Sequence, residues 1–344
     1  MAAIDPSSAS PVAVPARPSL LRSGGISKAR LGDAIFYWST LVFAAVVLVL
    51  TLWLGIQLFL AARPAISRFG LGFLTSSIWN PVDDDTVKNA NVFGAWPYIY
   101  GTLVSSAIAL VLAVPVGVGT AIYLAELAPR KLRTPLSFMV ELLAAVPSVV
   151  YGLWGRLVML PALTTVMTVV YASVGTKPVI GALFSTAPSS AGFMLAGGLI
   201  LAIMVLPFIT AISREVIKAV PPIQREAAFG LGATHWEAVK GPILRTARSG
   251  IIGAIILALA RALGETMAIT MVCGDSNQAS ISLLAPANTL ASQLALQFGE
   301  AQNMQYNALM YLALILFGIT IVVNSIARLM IWNMTRGIQG SVRG

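Results

Sequence analysis

Residues 34–62 run for 29 positions without a charged side chain. As an α-helix rising about 1.5 Å per residue, such a run crosses a bilayer core of about 30 Å with room for tilt. It is too long for the apolar part of a cleavable leader, and no small-residue cleavage site follows it, so it reads as a retained anchor. The rest of the chain agrees. With 57% hydrophobic residues, 10% charged residues and a mean hydropathy of +0.84, a soluble globular class is excluded and a polytopic membrane protein is indicated. The pI near 10 needs no nucleic acid to explain it, because basic loops on one side of a membrane produce the same balance.

Five further spans are expected, at 98–125, 136–153, 191–212, 249–273 and 308–327. Residues 157–174 are apolar enough to pass for another. An extra crossing there would place six basic residues of the 213–248 loop outside, so 157–190 is read as an external hairpin or re-entrant segment. Sixteen of the 22 lysines and arginines then lie on one side, which orients the chain with both termini in the cytoplasm. The expected fold is all-α, with six transmembrane helices, N-in and C-in. Residues 1–30, rich in Pro, Ala and Ser, read as a disordered cytoplasmic tail. Residues 31–97 hold the first helix and an extracytoplasmic loop, and 328–344 form a cytoplasmic C-terminal tail. Asp83-Asp84-Asp85 reads as a solvated turn, because one short acidic run lacks the ligand spacing of a calcium loop.

The 213–248 loop is the longest charged interruption. Pro221-Pro222 suits a helix start, where a missing N–H is no loss. Ile223, Ala227, Ala228 and Leu231 fall on one helical face, and Gly232 is placed to stop the helix. Thr234-His235-Trp236-Glu237 reads as a capping box that opens a second helix. A short helix–turn–helix with a small-residue face, hung between membrane spans, is suited to docking.

Glu226-Ala227-Ala228, followed after three residues by Gly232, resembles the EAA loop of ABC importer permeases. The resemblance implies a type I permease fold over residues 98–327 and a coupling role toward an ATPase for Arg225, Glu226, Ala227, Ala228 and Gly232. The family pattern expects an aliphatic residue at Pro242 and a proline at Arg245, and of that ending only Leu244 matches. Pro242 is therefore expected to break the second helix one turn early.

Two other stretches narrow the resemblance. Arg261-Ala262-Leu263-Gly264-Glu265-Thr266-Met267-Ala268 and Ala145-Val146-Pro147-Ser148-Val149-Val150-Tyr151-Gly152-Leu153-Trp154-Gly155 are similar to the fifth and third spans of phosphate-specific ABC permeases. The order of motifs and the long first loop look most like the PstC-type subunit. That resemblance implies inorganic phosphate as cargo, a second permease half of the PstA type, two PstB-type ATPases and a PstS-type binding protein outside the membrane. It implies no cofactor on this chain, with ATP and magnesium held by the ATPase. Another oxyanion, such as sulfate or molybdate, would use the same fold and loop. An ion-coupled secondary transporter would require inverted repeats, which are not found, and would leave the EAA stretch unexplained.

Arg261 and Glu265 are four residues apart, so on one helix they would share a face. Charges within a span are costly and usually pair or line a pathway. The guanidinium fork suits phosphate oxygens. The expectation is that Arg261 meets the anion and Glu265 pairs with it between substrates; the alternative is a structural ion pair that only packs the spans. Pro147 frees a backbone carbonyl mid-span, so Ser148 beside it is a third pathway candidate, while Gly152 reads as packing. Glu141, near a span end, reads as an interfacial residue reaching for water. The single cysteine, Cys273, rules out an internal disulfide and a cysteine-built metal site, and the single histidine, His235, argues against histidine-metal chemistry. No lysine follows a glycine, so there is no Walker A sequence, and no nucleophile–base set appears; the chain is expected not to be an enzyme.

Overall fold

The computed structural model describes residues 28–82, 91–175, 177 and 181–340. Asp83-Asp84-Asp85, the N-terminal tail to residue 27 and residues 341–344 lie outside the described residues. The chain divides into two compact units, Met1–Leu54 and Gly55–Gly344, each described by itself. In the first, the described residues are one helix with exposed apolar side chains along its length. From residue 34 to residue 54 this helix is uncharged and has no buried face, which marks it as lipid-facing.

Six helices among the described residues are long and apolar enough to cross a membrane. They are α1 (Lys28–Phe69), α2 (Trp96–Leu127), the third at Ser148–Val174, and those at Met194–Lys218, His235–Leu263 and Asn303–Gly340. Between the second and third lies α3 (Arg130–Ala145), and the third is α4. Next come α5 (Met194–Lys218), α6 (Pro222–Gly230) and α7 (His235–Leu263). Two short helices, α8 (Met267–Val272) and α9 (Leu290–Gln297), precede α10 (Asn303–Gly340). The only departure from all-α among the described residues is a strand pair, Trp79–Asn80 with Val92–Phe93.

The core is the α2–α5 pair. On α2, Gly101, Ser105, Ala109, Ala113, Gly117, Ala121 and Ala125 recur every fourth residue and are all buried. Small residues at this spacing let two helix backbones approach, and close packing is what joins helices in lipid. Large α5 side chains fill the space. A Cβ placed on Gly117 would sit 3.0 Å from the Ile209 side chain.

The third crossing differs from the expectation. The predicted span 136–153 is broken at Val146-Pro147, where α3 ends and α4 begins. Residues 157–174 are not a separate hairpin; they continue α4 through a π turn at Gly155–Met159. Contacts show where the crossing runs. Glu141 meets Arg214 near the end of α5, and Gly155 lies against Ile200 near its beginning. Residues 141–155 therefore run antiparallel to α5 over 14 of its residues, about 21 Å. The fifth crossing also differs. The expected 249–273 ends at Leu263, and α8 starts afresh after Gly264-Glu265-Thr266.

Candidate functional site

The loop after α5 folds as its residues dictate. Pro221 is extended, with ψ 134°, and Pro222 takes the first helical turn of α6. Leu231 ends the helix, and Gly232 follows at φ +81°, a left-handed conformation that costs glycine little. The Thr234 side chain accepts the Glu237 N–H, and the Glu237 carboxylate accepts the Thr234 N–H at 2.8 Å, so the capping box is complete. One expectation fails here. Pro242 does not end the second helix; Val239–Ile243 widens into a π turn and α7 continues to Leu263. A π turn accommodates the proline's missing N–H without stopping the helix.

The outer face of this loop has no partner among the described residues. No residue of α6 is buried. Ile223 is 70% exposed, Leu231 90% and Trp236 62%. Ala227, Ala228, Leu231, Ala233 and Pro242 line an open apolar groove between α6 and the start of α7. Large apolar side chains grouped on an otherwise polar loop mark a surface for another protein.

Arg225 is not part of that face. It is half-buried and points back to the spans. Its Nη2 donates to Glu126 Oε1 at 2.8 Å, and its Nε lies 3.2 and 3.3 Å from the two Glu126 oxygens. Nη2 also donates to the Ile217 carbonyl at 2.9 Å, and Nη1 to the Val220 carbonyl. One guanidinium thus joins the ends of α2 and α5 to α6. Grouping Arg225 with the docking residues is corrected in this respect, because sequence adjacency does not tell which side of a helix faces the body.

The pathway candidates are placed as follows. Arg261 is exposed in the last turn of α7, where a cation complements the helix C-terminus. Its guanidinium lies over the Phe208 ring at 5.9 Å and within electrostatic range of Tyr151. No ion pair joins it to Glu265. The helix stops between them, so they do not share a helical face. Glu265 instead accepts the Ala268 N–H at 3.2 Å, at the start of α8. The expected pair is therefore absent, although both residues flank the same break. Ser148 is the first residue of α4, half-buried beside Pro147. The carbonyl that Pro147 frees, that of Leu143, is occupied by the Tyr151 hydroxyl at 2.7 Å. Gly152 serves packing, since a Cβ there would lie 2.9 Å from the Ala268 Cα.

Sequence reasoning missed three groups. Glu126 carries no motif, and only its π turn at Tyr123–Leu127, which re-aims it, explains its contact with Arg225. Arg214, 8% exposed along its side chain, bonds Glu141 at 2.8 Å and Glu215 at 2.7 Å. Glu141 thus pairs across to α5 rather than only reaching for water. The Tyr151 bond depends on a break that the sequence marked with Pro147 but did not locate.

A family model described as "Binding-protein-dependent transport system inner membrane component" matches residues 113–336. A phosphate transport system permease protein PstC of Mesorhizobium japonicum is 45% identical over 312 residues, covering 90% of this chain and 93% of the relative. The protein of that name from Haemophilus influenzae is 42% identical, covering 88% of this chain and 94% of the relative. PstC 1 of Mycobacterium tuberculosis is 36% identical, covering 92% and 97%. A crystal structure of a bacterial alginate ABC transporter, in complex with an alginate-bound periplasmic protein, shares the fold. It has a TM-score of 0.55 and 13% identity, with 89% of this chain and 97% of that chain covered.

Proposed function

The chain belongs to the binding-protein-dependent transport inner-membrane component family, and from that premise we propose that it is the PstC-type permease subunit of an importer of inorganic phosphate. It is a multi-pass inner-membrane protein with the type I ABC importer permease fold, and it is not itself a catalyst. ATP hydrolysis belongs to a separate subunit, and cargo is delivered by a binding protein. The observation that carries the phosphate reading is the 45% identity along 90% of the chain to a phosphate permease. The exposed small-residue groove of α6 gives the ATPase its docking surface.

Finer assignments belong to the same reading. The second permease half is of the PstA type, the ATPases of the PstB type and the binding protein of the PstS type. The permease core spans 98–327, with both termini inside. Glu226, Ala227, Ala228 and Gly232 shape the docking surface, and Arg225 holds it to the spans. Arg261 meets the anion, because its five donors have no carboxylate partner among the described residues and lie in the last helical turn before a break. Glu265 and Ser148 flank the route.

Uptake of labelled phosphate and labelled sulfate by a deletion strain carrying this chain tests the proposal. Phosphate uptake that is restored and unaffected by excess sulfate is expected; restoration of sulfate uptake alone overturns the phosphate assignment. For orientation, a cysteine introduced near residue 84 should react with an impermeant thiol reagent in intact cells, and one near His235 should not. The reverse labelling overturns the N-in, C-in assignment.

A further inference from the structure

The docking helix α6 is connected to the spans in two ways. One is local: α6 leads into α7, packs on its first turns, and Gln224 meets Thr246 through an exposed bond of 2.8 Å. The other crosses to different helices and runs through Arg225. Because α6 buries none of its residues, it has no apolar interlock with α2 or α5 through which to push. A polar link takes that place. The side chains of Arg225 and Glu126 are 21% and 14% exposed, so water competes weakly for the pair. A forked, charge-assisted contact also fixes orientation, which a point charge does not.

We propose that the Arg225–Glu126 link is the strut through which movement of the docking helix reaches α2 and α5; this rests on the reading of α6 as the ATPase docking surface. Three features make it a strut rather than a chance surface pair. The carboxylate sits in the π turn that ends α2, so a displacement of Glu126 acts directly on that helix. The remaining donors reach the Ile217 and Val220 carbonyls at the end of α5, where the Ile217 oxygen also accepts the Val220 N–H at 3.3 Å, so the guanidinium grips the end of that helix. And α2 and α5 are the most intimately packed helix pair among the described residues, so a pull on both ends together moves them as one body. Arg225 and Glu126 are positioning residues: they touch neither phosphate nor ATP.

The test uses the whole transporter, purified through a tag on this chain and reconstituted in liposomes with its binding protein. ATP hydrolysis and import of labelled phosphate are measured together. Glu126→Gln keeps an acceptor but removes the charge, and Arg225→Lys keeps the charge but removes the fork. In both, the ATPase should co-purify within twofold of wild type and hydrolysis should continue. Phosphate imported per ATP should fall at least fivefold. Thr246→Val, which cuts only the exposed bond to Gln224 and lies outside the docking groove, should leave that ratio unchanged. A wild-type ratio in both strut variants overturns the proposal. So does loss of the ATPase in step with import, because the link would then serve assembly alone. If the wild-type complex imports another anion instead, the phosphate reading falls, and the same ratio measured with that anion still decides the strut.

Discussion

Arg225 and Arg261 are both arginines at the edge of an apolar stretch, and the two are used in opposite ways. Arg225 spends its donors inside the chain, on one carboxylate and two carbonyls. Arg261 has the Phe208 ring and the end of its own helix and, among the described residues, no carboxylate. A guanidinium with its bonds made holds structure in place. One with no carboxylate among the described residues, next to a broken helix, is the one proposed above to meet the anion. The same contrast separates the two helix breaks. At Pro147 the freed carbonyl is closed off by Tyr151, whereas at Gly264-Glu265-Thr266 both flanking charges remain half-buried or exposed.

The comparison breaks most sharply at Arg261. Arg261→Gln should lower phosphate uptake by about 10²-fold, the equivalent of a lost charge-assisted bond of about 1.5–3 kcal/mol. Membrane insertion and ATPase co-purification should persist, because the side chain is exposed and its contact with α5 is one weak approach to the Phe208 ring. Uptake at the wild-type rate would remove Arg261 from the pathway.

Next in size is the docking face. Ala227→Trp fills the groove from its floor and should reduce ATPase co-purification at least tenfold, about 1.4 kcal/mol of binding. The spans should keep their thermal stability, since no residue of α6 is buried. Normal co-purification together with normal uptake would withdraw the docking assignment.

Smaller effects sharpen the contrast between the breaks. Tyr151→Phe leaves the Leu143 carbonyl with a poorer partner and should cost about 1 kcal/mol, read as a lower thermal midpoint in detergent. Its uptake should change little. Glu265→Gln keeps an acceptor for the Ala268 N–H and loses only the charge at a helix start, a matter of about 0.3–1 kcal/mol. Its uptake should stay within about fivefold of wild type. A loss as deep as that of Arg261→Gln would show that Glu265 pairs with Arg261 in another state of the transporter.

Much of the local structure was legible. Thr234 and Glu237 formed the box that their spacing announces, and Gly232 took the positive φ expected of a helix stop. The small residues recurring every fourth position on α2 were legible too, and reading them would have identified the face that meets α5. Other readings failed for a common reason. Pro242 was expected to stop a helix and Glu265 to pair along one, yet both outcomes depended on how the chain bends at a single turn.

The sequence by itself determined the number of crossings and the position of the helix–turn–helix loop at 213–248. Hydropathy, turn residues and caps act within a few residues of themselves, so their consequences can be read in order along the chain. Only the tertiary structure decided which charges meet. Arg225 and Glu126 are 99 residues apart, and Arg214 and Glu141 are 73 apart. No local pattern encodes such pairs. They form because α2 and α5 pack through small side chains and bring their ends together, and because a buried charge is costly until it is paired.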